Sequence, residues 1–273
     1  MLSVVTNNDY AGEISGQGDK VIIRTVPTLQ INDYSSGQNL TSQRPTASNI
    51  ELLIDQGKYW QAVVDDVQAV QADIDLMNMW SADAAEQMKI AIDTAVLGGI
   101  APDVSADNKG TTAGRISNNI NLGTTGSAIA LTKVNVIDYI LDLGQTLDEQ
   151  NVPETGRWVI LPAWACTLLK KSDLKDASLT GDGTSVIRNG RLGMLDRFTL
   201  YSSNLLPHVT DSTFDTFSIF AGTKDAVAYA SQLTKVETLR AESTFGDIMR
   251  GLNVFGFKVR KPEAIATLYA YKG

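Results

Sequence analysis

The feature that most limits how this chain can fold is a polar stretch, PTLQINDYSSGQNLTSQRPTAS, at residues 27–48. Pro27, Gly37 and Pro45 punctuate it, and it carries too few apolar side chains to offset the entropy of ordering a core of its own. Strand signals lie on either side. GDKVIIRTV at residues 18–26 follows a Gly/Asp turn and is rich in β-branched residues. Residues 49–64 form the second signal, where alternation puts Ile50, Leu52 and Ile54 on one face. The pattern predicts a long two-armed hairpin projecting from the body. An isolated two-stranded ribbon is marginal in water, so its apolar face is expected to rest on a neighbour, with another subunit as the candidate.

The rest of the chain supplies the body. Leu76, Trp80, Ala84, Met88, Ile92 and Val96 recur every four residues among strong helix formers, which predicts a long helix over residues 75–97 that stops at Gly98 and Gly99. Residues 101–126, rich in Gly, Ser, Thr, Asn and Asp, read as an irregular connection or flexible loop and the best internal boundary. Val134, Ile137, Leu141 and Leu147 mark a second amphipathic helix that stops before Pro153. A short apolar strand at 157–161 and a third helix at about 162–171 follow, then a polar loop at 173–193. Further strands are predicted at 198–201, 217–220, 236–239, 252–259 and 264–271. No internal repeat is visible.

Catalytic chemistry is hard to find. His208 is the only histidine and Cys166 the only cysteine, so no intrachain disulfide and no local His pair for a metal can form. His208 follows Pro207 in what reads as a polar loop. No Gly-x-Ser-x-Gly turn or Gly-x4-Gly-Lys-Ser/Thr loop occurs. Asp65 and Asp66 are adjacent carboxylates, but consecutive strand-end residues point apart and helix capping is their commoner use. Trp158 and Trp164 sit among apolar neighbours and read as core. For Arg188 and Arg191, in the polar loop, an ion pair across a subunit boundary and a solvated arginine both stand open.

Composition narrows the classes. Of 273 residues, 43% are hydrophobic and 20% charged, which is the profile of an ordinary folded protein. With 31 acidic against 23 basic residues the formal charge is −8, the wrong sign for a chain that grips nucleic acid through its phosphates. A wall that encloses DNA without holding it remains compatible. The longest apolar runs, such as 90–97, are interrupted and too short to span a membrane, and residues 1–10 lack the basic start and apolar centre of a signal peptide.

Four blocks, in order along nearly the whole chain, resemble the major capsid proteins of tailed bacteriophages with the Hong Kong ninety-seven fold. They are DYAGEI from Asp9 running into GDKVIIR from Gly18, IDQGKY from Ile54 with Val64, Asp65 and Asp66, then LG at Leu192 through YSSNLLP at 201–207. The most specific is Phe245-Gly246-Asp247 with GLNVFGFKVRKPEA at 251–264. The resemblance implies an α+β capsid fold with an extended β-hairpin loop, a long spine helix, and peripheral and axial domains. It implies the end of an N-terminal arm at 1–17, the extended loop at 18–64 and a peripheral domain with the spine helix at 65–127. The axial domain would follow at 128–233, with a return to the peripheral domain at 234–273.

The implied function is a structural shell subunit, not an enzyme and without cofactor, that self-assembles as hexamers and pentamers around double-stranded DNA. Portal and scaffolding proteins are the implied partners, with a cement or decoration protein as a further one, and no membrane. The implied location is the virion capsid, assembled in the host bacterial cytoplasm. Candidate intersubunit contacts are Arg24, Asp33, Tyr34, Arg44, Lys58, Arg188, Arg191 and Arg260. Family members usually carry a longer N-terminal arm, and often glycine where Arg197 stands. Some crosslink through a loop lysine, but residues 27–57 contain none, which predicts a noncovalent shell. The alternatives weighed are an encapsulin-like compartment holding a cargo enzyme, a carboxylate-based metal-dependent hydrolase built on Asp65 or Asp66, and a monomeric adhesin or decoration module.

Overall fold

In the computed structural model, residues 2–9, 20–24, 27, 29–46, 49–71, 75–172, 193–211, 213–242 and 244–273 are described. In chain order these residues form helix α1 (Leu2–Val5), strands β1 (Lys20–Arg24), β2 (Asn49–Leu53) and β3 (Gln56–Asp65), and helices α2 (Asp66–Gln71) and α3 (Leu76–Ile100). Next come β4 (Ile129–Leu131), α4 (Val136–Glu149), β5 (Arg157–Leu161) and α5 (Ala163–Lys171). The remainder is strand: β6 (Met194–Leu195), β7 (Phe198–Ser202), β8 (His208–Asp211), β9 (Phe214–Thr223), β10 (Val227–Arg240), β11 (Gly246–Val259) and β12 (Ile265–Lys272).

Among the described residues three sheets form. The largest runs β4-β12-β9-β5-β7-β6, with β8 paired to β9 beside β5. Its centre is β5, whose residues are all buried. Such a continuous apolar run, with no alternation, is what a strand covered on both faces requires. Helix α4 packs on β12 and α5, sending Val136, Ile140, Leu143 and Leu147 into the core. The predicted elements at 134–147, 157–161 and 162–171 are all present. The strands at β4 and β8 went unpredicted because three or four residues carry too little periodicity to read.

The second sheet, β10-β11-β3, is antiparallel and lies along α3. Asp75 caps α3, its carboxylate accepting the Asn78 N–H at 3.2 Å. The helix does not stop at Gly98 and Gly99. A Cβ on Gly99 would sit 2.2 Å from Phe257 Cζ, so the glycine admits an aromatic ring from β11 instead of ending the helix. Termination falls at Ala101–Asp103, a tighter 3-10 turn containing Pro102. Only the last turns of α3 are buried, through Ile92, Val96, Leu97 and Ile100.

The predicted strand over 49–64 is in fact two. The ladder breaks at Ile54 and Asp55, so β2 pairs with β1 while β3 joins the sheet of β11. The apolar face of β1 and β2 is covered by this chain itself: Val21, Ile23, Leu52 and Ile54 cluster with Ala228 and Ala230, and Ile50 and Val254 pack against them. Another subunit is not needed there. Gly256 makes the crossing close, since a Cβ would lie 1.9 Å from the Leu53 carbonyl oxygen.

Of the two readings of residues 101–126, irregular connection or flexible loop, the first holds. Val104, Asn108, Ala113, Ile120 and Leu122 are buried, and the Asn108 amide donates to the carbonyls of Glu263 and Ile265 at 2.7 and 2.9 Å. The last strand, β12, pairs with β9 and β4 in the large sheet. The polar loop at 173–193 lies, apart from Gly193, outside the described residues.

Candidate assembly surfaces

The groups that chemistry would need are spent on structure. Among the described residues no cluster of three or more His, Cys, Asp or Glu side chains could hold a metal. His208 opens β8, not a loop, and its ring stacks on Phe217 at 5.2 Å. Cys166 is buried in α5, and burial pushes its thiol pKa up, away from a reactive thiolate. Asp65 ends β3 and Asp66 begins α2. Arg240 grips the Asp66 carboxylate with both terminal nitrogens, one at 2.7 Å, and its hydrogen bonds hold that carboxyl below its usual range. Trp158 is buried, and Trp164 is half-buried with its ring edge-on to Phe217.

A fixed polar centre ties the large sheet to α4. The Arg157 side chain is fully buried and donates to the carbonyls of Val152 and Pro153 at 2.6 and 2.9 Å. Its third nitrogen meets Asp148 at 2.7 Å, an ion-pair contact that lacks hydrogen-bond alignment. Arg197 engages the same carboxylate at 2.6 Å, and also Glu154 at 3.0 Å. Its neighbour Asp196 takes a left-handed φ of 52°. Asp196 thus makes the turn from β6 into β7, and Arg197 pairs with its carboxylate at 3.3 Å.

Exposed large apolar side chains are scattered over the described residues, and two regions gather several of them. The first is residues 29–46, which lie exposed throughout and include Leu29, Ile31, Tyr34 and Leu40. The second is the face of the β10-β11-β3 sheet turned away from α3. Register puts Tyr59 beside Leu252 and Val63 beside Ile248, around an ionic centre in which Glu237 meets both Arg250 and Lys235. Phe245, at the turn between β10 and β11, and Val67 and Val70 of α2 are exposed as well.

The predicted contact residues divide accordingly. Arg24 ends β1 on an exposed position, Asp33, Tyr34 and Arg44 lie in the exposed loop, and Lys58 is exposed on β3. The Arg260 side chain is 17% exposed and paired to Asp225 at 3.1 Å. Arg188 and Arg191 lie outside the described residues. The charged residues drew the sequence reading, and the exposed aliphatic ones escaped it. The signal was present, as apolar residues two apart at 29 and 31 inside an otherwise polar stretch.

The family model for phage capsid protein matches residues 51–268. No curated protein matches the sequence. Among solved structures, that of Mycobacterium phage Che8 shares 28% identity with a TM-score of 0.77, covering 98% of this chain and 90% of that one. The capsid structure of the cyanophage P-SCSP1u shares 17% identity with a TM-score of 0.69, over 94% of this chain and 85% of that one. The capsid of Ralstonia phage GP4 shares 12% identity with a TM-score of 0.69, over 98% and 87%.

Proposed function

The chain belongs to the phage capsid protein family and is a structural subunit of a virion shell with the Hong Kong ninety-seven fold, and from that premise we propose how its parts build the wall. Subunits associate as hexamers and pentamers, and the loop at 18–64 reaches over an adjacent subunit. Extended residues span at most about 3.3–3.6 Å each, so the arm from Arg24 to the turn at Gly37 can reach up to roughly 45 Å. The observation that carries this reading is the run of exposed residues at 29–46, which includes large aliphatic side chains and joins no hydrophobic core among the described residues.

The region of α3 with β3, β10 and β11 acts as the peripheral domain at 65–127 and 234–259, and the large sheet as the axial domain at 128–233, which β12 joins by its pairing. Arg24, Asp33, Tyr34, Arg44 and Lys58 are placed to meet neighbours, and many modest contacts per subunit sum to a stable closed shell. The acidic chain encloses double-stranded DNA without gripping it. Assembly takes place in the host bacterial cytoplasm with a scaffolding protein, around a portal, and a cement protein is a further partner. The protein acts as structure and not as an enzyme.

Negative-stain microscopy with size-exclusion chromatography, on chain expressed with and without its scaffold, tests this. Closed shells, or rings of five or six, are expected in at least one sample, and a stable monomer in both would refute it. A denaturing gel of purified particles should give a single band, because residues 27–57 contain no lysine for a covalent link.

A further inference from the structure

The exposed loop is more ordered than its strand content suggests. The β1–β2 ladder ends at the pair Arg24 and Asn49. Six residues further along each arm, the Gln43 side-chain amide clasps the Gln30 backbone, accepting its N–H at 3.0 Å and donating to its carbonyl at 2.7 Å. Five residues further again, the Gln38 N–H donates to the Ser35 carbonyl at 3.1 Å, and Gly37 takes the positive φ of 86° that closes the turn. Ladder, clasp and turn therefore share one register. Where the arms lack a backbone ladder, a glutamine amide takes the place of a backbone partner.

A single register assigns faces. The pairs Val21–Leu52 and Ile23–Ile50 turn toward this chain's own Ala228, Ala230 and Val254. Carried outward with the alternation of an extended pair, the same face presents Leu29 opposite Arg44, Ile31 opposite Ser42, and Asp33 opposite Leu40. Leu29 is 59% exposed, Ile31 91% and Leu40 80%. The opposite face carries Gln30, Asn32 and Tyr34 on one arm and Asn39, Thr41 and Gln43 on the other. Among the described residues this face thus carries Leu29, Ile31 and Leu40 as a broken apolar stripe interleaved with Asp33, Ser42 and Arg44, uncovered toward the tip and in line with the face that its own chain covers at the base.

We propose that the described parts of residues 20–53 form one hairpin in a single register, held ready by the Gln43 clasp, and that the face bearing Leu29, Ile31 and Leu40 seats on a second copy of this chain. The proposal rests on the shell reading and adds to it which side of the loop docks and what keeps it in shape beforehand. A second copy is the occupant because the stripe continues a face already packed on this chain's own sheet. Each copy also offers exposed apolar ground at Tyr59, Val63 and Leu252. Ordering the loop before contact lowers the entropy that association must overcome.

The test uses adjacent substitutions of equal charge. Ile31→Asp places a carboxylate in the docked face and should cut the yield of sedimenting shells at least roughly tenfold, while Asn32→Asp, on the open face, should change it less than about twofold. Equal yields, or the reverse order, overturn the face assignment. If the unaltered chain forms no shells in any condition, the shell reading itself fails and the face assignment with it. The clasp is read on the dissociated chain, independently of assembly. Losing two hydrogen bonds in Gln43→Ala should speed proteolysis within 29–46 by roughly fivefold at an unchanged melting temperature, and equal cleavage rates overturn the clasp.

Discussion

The large sheet and the extended loop solve opposite problems. Around β5, every residue from Arg157 to Leu161 is buried and even the one charged side chain has partners within its own chain. Between residues 29 and 46 almost nothing is covered, yet the backbone keeps one register through side-chain amides and a tight turn. The first region owes its form to burial, and the second to local hydrogen bonds that survive exposure. A shell subunit needs both, because it must fold before it has neighbours and still hold back surface for them. Stability and assembly should therefore be separable by substitution.

The widest separation is expected between two isoleucines. Ile160→Ala in β5 removes fully buried atoms and should cost about 2–5 kcal/mol in urea unfolding of the dissociated subunit. Ile31→Ala removes exposed ones and should fall within about 0.5 kcal/mol of the unaltered chain. A large loss at Ile31 in the dissociated subunit would break the comparison, since the loop would then contribute to the fold.

Next in size is the polar centre. Asp148→Ala leaves the buried Arg157 guanidinium without its counter-charge and takes one of three carboxylate partners from Arg197. Breaking a buried pair costs about 3–5 kcal/mol; Asp148 keeps 37% exposure, so about 3 kcal/mol, the lower end, is expected. Replacing both Arg157 and Asp148 with apolar residues should recover part of that loss, which a double-mutant cycle would measure.

Gly99→Ala sharpens the boundary between the regions. Alanine is the better helix former and would stabilise an exposed helical site by roughly 1 kcal/mol. Here the new methyl meets the Phe257 ring, so a net loss of about 1–3 kcal/mol is expected, read as a lower urea midpoint. A gain in stability would mean that the ring moves aside freely.

How much of this was legible depended on whether a signal was local. The helix at α4, the strand at β5 and the polar hairpin stood out because periodicity, apolar runs and turn residues are properties of neighbouring positions. Partner choice was not legible. Nothing near Ile54 announces that the strand breaks there and changes sheets, and Gly98-Gly99 reads as a stop until Phe257, far along the chain, is seen to need the space. Residues 101–126 were legible in part for the same reason: Gly, Ser and Asn foretell irregular backbone, but burial of Asn108 depends on the carbonyls of Glu263 and Ile265. Among the contact residues, the pairing of Arg260 within its own chain could not be read, because its partner Asp225 is remote in sequence. The exposed Leu29, Ile31 and Leu40 were overlooked because attention went to charge.

The smallest expected effect lies where irregular backbone joins the large-sheet region. The Glu149 carboxylate accepts the backbone N–H groups of Ile116 and Ser117 at 2.7 and 3.0 Å and the Gln145 amide at 3.0 Å. Desolvation opposes its ionisation, but those donors together outweigh it and lower the pKa from 4.5 to about 2. Because the folded value lies below the unfolded one, the stabilisation is fully present above about pH 4.5 and is lost as pH falls toward 2. Glu149→Gln should therefore be less stable than the unaltered subunit at pH 7, with the gap closing between pH 4.5 and 2 in urea unfolding. Hydrogen exchange at Ile116 and Ser117 should quicken over the same window, while amides of β5 stay protected for as long as the subunit remains folded. A gap that persists unchanged to pH 2 would mean that the anchor holds through packing and not through charge.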